Sequence, residues 1–192
     1  MQVKTISKLS ENIDKFEIRD RIVAGDQTAM KVLYDEYSGA LFHFARNYLA
    51  DPHDASDIVH ETMMEVWRNA ARFEGRSSIK SWMFTIARNK SIDRNRKGSR
   101  LQYTDTIPDY EDEGINPSEA MEASQDEDLV RSCVAKLSDS HRSVIHLVFF
   151  QNLSYQEVSK IEGIPVGTVK TRVLHAKKKL AHLLALEGRK AL

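Results

Sequence analysis

Between residues 101 and 128 the chain carries ten acidic side chains, no basic one, and two of its four prolines, Pro108 and Pro117. Like charges at this density repel one another, and the few large apolar residues of the stretch fall at no helical or strand period. The segment therefore reads as a flexible acidic linker rather than part of a packed core. A chain interrupted in this way folds as two units, and the predicted organisation is an N-terminal extension over 1–19, a first domain over 20–100, the linker over 101–128 and a second domain over 129–192. Both domain lengths lie within the range that supports a hydrophobic core.

The charge of the whole chain is uninformative until it is divided the same way. Twenty-eight Lys and Arg balance 28 Asp and Glu, and neutrality ordinarily argues against a polyanionic partner. By segment, however, residues 76–100 sum to +7, the linker to −10, residues 129–192 to +7 and residues 51–75 to −4. Two basic units flank an acidic tether. A hydrophobic fraction of 41% and a single cysteine, Cys133, exclude a disordered chain and an internal disulfide. No apolar run approaches the roughly 18 residues of a membrane span, and the N-terminus MQVKTISKLS lacks the apolar core of a secretion signal. A cytoplasmic protein without membrane insertion is expected.

Apolar periodicity predicts an all-α fold of two small helical domains. In the first, Met30, Leu33, Tyr34, Tyr37, Leu41, Phe44, Ala45 and Tyr48 share one face of a helix that Asp51-Pro52 stops. A second helix over about 54–73 turns Ile58, Val59, Met63, Val66, Trp67, Ala70 and Phe73 inward, and a third from Ser78 to about Lys97 does the same with Ile79, Trp82, Met83 and Ile86. In the second domain Leu129, Val130, Cys133, Val134 and Leu137 mark one helix, and Val144 to Phe150 another. Ser154-Tyr155-Gln156-Glu157 then forms a capping box opening a short helix, which ends at Gly163-Ile164-Pro165 before a longer one over about 166–186.

Two short helices about a glycine turn, the second rich in Lys and Arg, are a helix-turn-helix candidate. On the second helix Val169, Val173, Ala176, Leu180 and Leu183 face inward, leaving Lys170, Thr171, Leu174, His175 and Lys178 on other faces. Such side chains suit the major groove: donors for base edges or phosphates, and an exposed leucine for a thymine methyl. The other basic block is the end of the third helix, where Arg88, Arg94, Arg96 and Arg100 surround Asn89, Lys90, Asp93 and Lys97. That surface suits a phosphate backbone, with Asn89 offered to an unstacked base. The second helix carries Asp54, Asp57, Glu61 and Glu65 along one side. Asp57 and His60 are half of a carboxylate metal motif whose other half the chain lacks, and no phosphate loop or nucleophile elbow is present. No metal, cofactor or enzymatic activity is expected, and the acidic face reads as solvated or as a docking face for a basic partner.

Taken together, Asp54 to Thr62, Val66-Trp67, Phe73-Glu74-Gly75, Ser81-Trp82 and Ile86-Ala87-Arg88-Asn89 through Ile92-Asp93 strongly resemble the promoter-binding domain of extracytoplasmic-function (ECF) sigma factors, group 4 of the sigma-70 superfamily. Leu137, Leu153 to Glu157 and Ile164 to Arg172 are similar to the second DNA-binding domain of that family. The resemblance spans residues 20–186. It implies a sigma factor that recruits core RNA polymerase to promoter DNA and helps open it, with an anti-sigma factor as a further partner. It assigns Asp57, His60, Glu61 and Trp67 to polymerase docking; Gly75, Arg76, Ser77, Ser78, Arg88, Asn89, Asp93 and Arg96 to the minus-10 element; and Ser154, Lys170, Thr171, Leu174, His175 and Lys178 to the minus-35 element. Two positions depart from the family pattern: His60 replaces the usual Gln, and His175 stands where Arg is common. The alternative is a self-sufficient helix-turn-helix regulator whose N-terminal domain dimerises or senses a ligand.

Overall fold

A computed structural model describes residues 15–101 and 125–188. Residues 1–14, most of the N-terminal extension, and 102–124, most of the acidic linker with Pro108 and Pro117, lie outside the described residues. Within them the chain is all-α. The helices are α1 Lys15–Val23, α2 Gln27–Ala45, α3 Pro52–Asn69, α4 Ile79–Leu101, α5 Gln125–Ala135, α6 Asp139–Ile145, α7 Tyr155–Glu162 and α8 Val166–Gly188, with a 3₁₀ turn Ala70–Arg72 after α3 and a π-helical turn His146–Phe150 after α6.

Local chemistry sets the helix boundaries. Asp26 caps α2 by accepting from the Thr28 amide at 2.8 Å, and Asp51 caps α3 by accepting from the His53 amide at 2.8 Å, with Pro52 in the first turn, where its missing N–H costs nothing. The hydroxyl of Ser78 accepts from the Ser81 amide at 3.1 Å and so serves the first turn of α4. Sequence periodicity does not announce α1, which crosses the expected start of the first domain at residue 20. It is a short helix that buries Ile18 and Ile22, and Arg19 holds it in place by donating to the Ala70 and Ala71 carbonyls at 3.3 Å.

Helices α2, α3 and α4 pack against one another as the N-terminal core, and α5, α6 and α7 pack around α8 as the C-terminal one. The two do not stay apart. Helix α4 packs on α7, and one continuous apolar core joins Phe44, Ile58, Met83 and Phe84 to Leu147, Val158, Ile161 and Val169. At about 1.5 to 3 kcal/mol for each large side chain taken fully out of water, the shared residues weld the halves together. This explains a difference from the single inward stripe predicted for α4. Phe84, Ala87 and Ser91 are fully buried in addition to Met83, because α4 lies between α3 on one side and the C-terminal domain on the other. Ile79 and Trp82, predicted inward, are only half-buried.

His146 sits at this junction. Its ring lies 5.8 Å from that of Phe44, 6.3 Å from Phe84 and 5.7 Å from Phe150, with Gln151 Nε2 3.3 Å from its Nε2. Burial, with a smaller contribution from the positive charge of His43 and Lys80, pushes its pKa down from 6.5 to about 4, against the opposing pull of the Ala40 carbonyl. Between those values the folded protein binds fewer protons than the unfolded chain, so stability falls as pH falls through the window from 6.5 to about 4. The linked loss is about 3 kcal/mol. Thermal melts across this range are expected to show the decline in the native protein, and a flatter profile in His146→Phe.

Candidate nucleic-acid and polymerase interfaces

The helix-turn-helix is built from local bonds. The Ser154 hydroxyl accepts from the Glu157 amide at 3.3 Å while Glu157 Oε2 accepts from the Ser154 amide at 2.9 Å, a reciprocal capping box. At the other end Gly163 adopts φ 64°, a left-handed conformation that glycine enters without Cβ strain, and the Ser159 hydroxyl donates to the Ile164 carbonyl at 2.5 Å. These contacts aim α8. Its buried stripe is Val169, Val173 and Ala176, so Lys170, Thr171, Leu174, His175 and Lys178 are all exposed on the opposite side, Leu174 to 52%. Ser154 is exposed beside them at the start of α7. Thr171 donates to the Gly167 carbonyl at 3.0 Å, and the His175 ring stands edge-on to His141 at 6.5 Å.

The loop before α4 and the outer side of α4 form a second surface. Arg76, Asn89, Asp93 and Arg96 are exposed, whereas Gly75, Ser77, Ser78 and Arg88 are partly buried. Under the loop lies a shallow cleft of about 200 Å³ lined by Arg72, Phe73, Glu74, Arg76, Ser77 and Trp82. The Trp82 ring stacks on Phe73 at 5.0 Å, which makes it a half-buried aromatic wall rather than a core residue. Not every residue of this surface faces outward. Arg88 Nε lies 3.3 Å from Glu162, and Ser78 Oγ lies 3.1 Å from Glu157, both of the C-terminal domain.

The acidic side of α3 is not an open negative face. Arg94 Nη1 donates to Asp54 and Asp57 at 2.9 Å, Arg94 Nη2 reaches Glu61 at 2.5 Å, and Lys90 lies 3.0 Å from Glu65 and 3.5 Å from Glu61. The bond to Asp57 is the first cause of the raised Arg94 pKa. Beside this lattice His60 is exposed and stacked on Tyr34 at 6.2 Å, and Met64 and Trp67 stay exposed to 49% and 36%. His60, Glu61, Met64, Glu65, Arg68 and Lys90 are among the residues lining a shallow groove of about 490 Å³ there. Among the described positive residues of 76–100, Arg76, Arg88, Lys90 and Arg94 are thus held by carboxylates. The pairing has a signal in the sequence: Lys90 and Arg94 are one turn apart, as are Asp57, Glu61 and Glu65, so the two rows match when α3 and α4 lie side by side.

Two family models match the chain, "Sigma-70 region 2" over residues 33–101 and "Sigma-70, region 4" over 127–180. The chain is 30% identical over 163 residues to the ECF RNA polymerase sigma factor SigW of Bacillus subtilis, covering 80% of this chain and 87% of that one. The chain belongs to the ECF RNA polymerase sigma factors. It is also 31% identical over 155 residues to the ECF sigma factor SigL of Mycobacterium tuberculosis, covering 80% and 87%. Among solved structures, the sigma factor RpoE of Bartonella quintana in complex with the anti-sigma factor NepR superposes with a TM-score of 0.66 at 31% identity, over 81% of this chain and 98% of that one. The fold of CnrH, solved with the cytosolic domain of CnrY, is also shared, at a TM-score of 0.62 and 24% identity over 90% and 97%.

In this sigma factor the Arg94 lattice ties α4 to α3 and so sets the pitch of the region 2 surface. Removing the guanidinium leaves Asp54, Asp57 and Glu61 facing one another without their shared cation. Arg94→Ala is expected to lower stability by about 1 to 2 kcal/mol, modest because the site is partly screened by solvent. Urea titration at low and high salt measures it, and the cost should shrink as salt rises.

Proposed function

We propose that this sigma factor binds core RNA polymerase in the cytoplasm, directs it to promoters with a minus-10 and a minus-35 element, and helps open the minus-10 duplex. The observation that carries this reading is the side-chain sorting on α8, which buries Val169, Val173 and Ala176 and presents Lys170, Thr171, Leu174, His175 and Lys178 to solvent in a chain of this family. Those residues and Ser154 read the minus-35 major groove. The loop Gly75 to Ser78 with Arg88, Asn89, Asp93 and Arg96 holds the minus-10 strand, and Asp57, His60, Glu61 and Trp67 dock on the polymerase. Opening DNA costs about 1.4 kcal/mol per base-pair step, which binding of the opened strand offsets. The protein acts by binding, with no reaction of its own. That RpoE of Bartonella quintana was solved with the anti-sigma factor NepR supports an anti-sigma factor as a further partner.

Abortive initiation with purified core polymerase tests the reading: specific promoter products are expected only when both components are present. Tight binding of a palindromic site by a dimer without polymerase would favour a self-sufficient regulator instead. Lys170→Ala is expected to reduce the slope of log affinity against log salt by about one unit at the minus-35 element. Asn89→Ala is expected to lose permanganate reactivity at the minus-10 element at equal occupancy. Trp67→Ala should weaken core-polymerase binding by about tenfold, the size of a typical aromatic anchor.

A further inference from the structure

The reading face assigned to α8 holds one side chain whose hydrogen bonds depend on the plane of a ring. Lys170 and Lys178 are flexible point charges, Leu174 is apolar, and the Thr171 hydroxyl donates to the Gly167 carbonyl at 3.0 Å. His175 differs from all of them. An imidazole presents its nitrogens in one plane, so the base edge it can meet depends on how the ring is turned. Exposed on a helix, such a ring has more than one staggered rotamer open to it.

Beside it stands His141, from another helix. The two rings meet edge to face, 83° apart with centroids at 6.5 Å, an arrangement that aromatic pairs favour. His141 is itself anchored. It lies in the first turn of α6, and its Nδ1 is 3.1 Å from the hydroxyl of Ser138. Ser138 occupies the N-cap of α6, where a serine ordinarily accepts from the helix amides, yet its side chain makes no capping bond. The hydroxyl is given to the histidine instead. The base of the pair is fixed as well: Leu137, Ile145 and Ala176 pack together with Leu180 against them, joining α6 to α8. Arg142 donates to the Ala135 carbonyl at 3.0 Å and to Asp139 at 2.7 Å, which holds the start of α6 to the end of α5. Burial pushes the His141 pKa down, and the neighbouring His175, Arg172 and Lys179 push it in the same direction. At neutral pH the His141 ring is therefore uncharged, and it meets His175 as an aromatic partner rather than as a second cation.

We propose that His141 is a positioning residue for minus-35 recognition: anchored by Ser138, its ring holds the His175 ring edge-on and so decides which base edge His175 meets. The inference rests on the reading of α8 as the minus-35 helix, whereas the ring pair belongs to the folded chain alone.

The test uses holoenzyme reconstituted from core RNA polymerase and the full-length protein, offered promoter duplexes randomised across the minus-35 element. Sequencing the bound fraction gives the base preference at each position. His175→Ala is expected to flatten one or two positions, which marks where that residue reads. His141→Ala should weaken discrimination at those same positions by about twofold to tenfold, the worth of one edge-on ring pair, and leave the rest of the element unchanged. His141→Phe, which keeps a ring at the site, should recover most of the preference. Should His141→Ala melt well below the native protein, His141→Gln, which fills the site without a ring, takes its place. Unchanged discrimination at the marked positions, a loss spread evenly over the element, or no recovery in His141→Phe overturns the positioning role. If His175→Ala itself alters no position, the inference falls while the other α8 contacts stand. If the native holoenzyme enriches no sequence, the functional reading of α8 falls and takes the inference with it.

Discussion

A carboxylate that is almost wholly buried dictates what must surround it. Arg88, Tyr48 and Ser143 converge on the Glu162 carboxylate where it lies out of water, and removing one partner from such a set costs far more than the set contributes net. Tyr48 remains a donor because burial, reinforced by the Glu162 charge, pushes its phenol well above the ordinary tyrosine value. The requirement reaches outward. It fixes the end of α7 against α4 and the turn that follows α2, the Gly163 turn follows directly, and the turn aims α8. Glu157 adds a second fixed point: burial raises its pKa, but the bonds donated by Ser81, Ser154 and Ser78 outweigh that and leave it lowered.

Much of this was legible in the sequence where the physics is local. The Ser154 box, the Gly163 turn and the inward stripe of α8 are written in residues three or four apart, and each lies where spacing puts it, whereas α2 ends at Ala45 and Asp51-Pro52, expected to stop it, instead opens α3. What periodicity could not supply is non-local. The second buried face of α4, carried by Phe84 and Ala87, is created by a domain that arrives from seventy residues downstream. The same is true of Arg88, which reads as a free cation until its carboxylate is found on α7. A hint existed: Glu162 follows Val158 and Ile161 on the apolar side of α7, and an acid in that position asks for a buried partner. Helix α1, nine residues long, gives periodicity too little to work on.

The segmental charges gain meaning from the same contacts. Region 2 is less basic in effect than its sum, since Lys90 and Arg94 are spent on α3. What they maintain is shape: the row of salt bridges holds α3 and α4 in one register, with Trp67 and Met64 on one side and Asn89, Asp93 and Arg96 on another. The surfaces we propose for polymerase and for DNA are thereby parts of one pair of helices held in register.

The π-helical turn His146–Phe150 closes with the Gln151 amide bonded to the His146 carbonyl at 3.0 Å, five residues back, and the chain leaves it through Asn152 at φ 53°. A π turn holds one residue more than an α-helix would over the same span. That additional residue acts as a phase shift: His146 and Leu147 point into the junction while Phe149 and Phe150, 45% and 52% exposed, are carried out to solvent, with Lys177 over the Phe149 ring at 5.0 Å. The turn sets the frame between α6 and α7. A lineage that lost a single residue here would keep every helix and every motif, yet would turn α6 by about 100° relative to α7, exchanging which aromatics the molecule hides and which it displays.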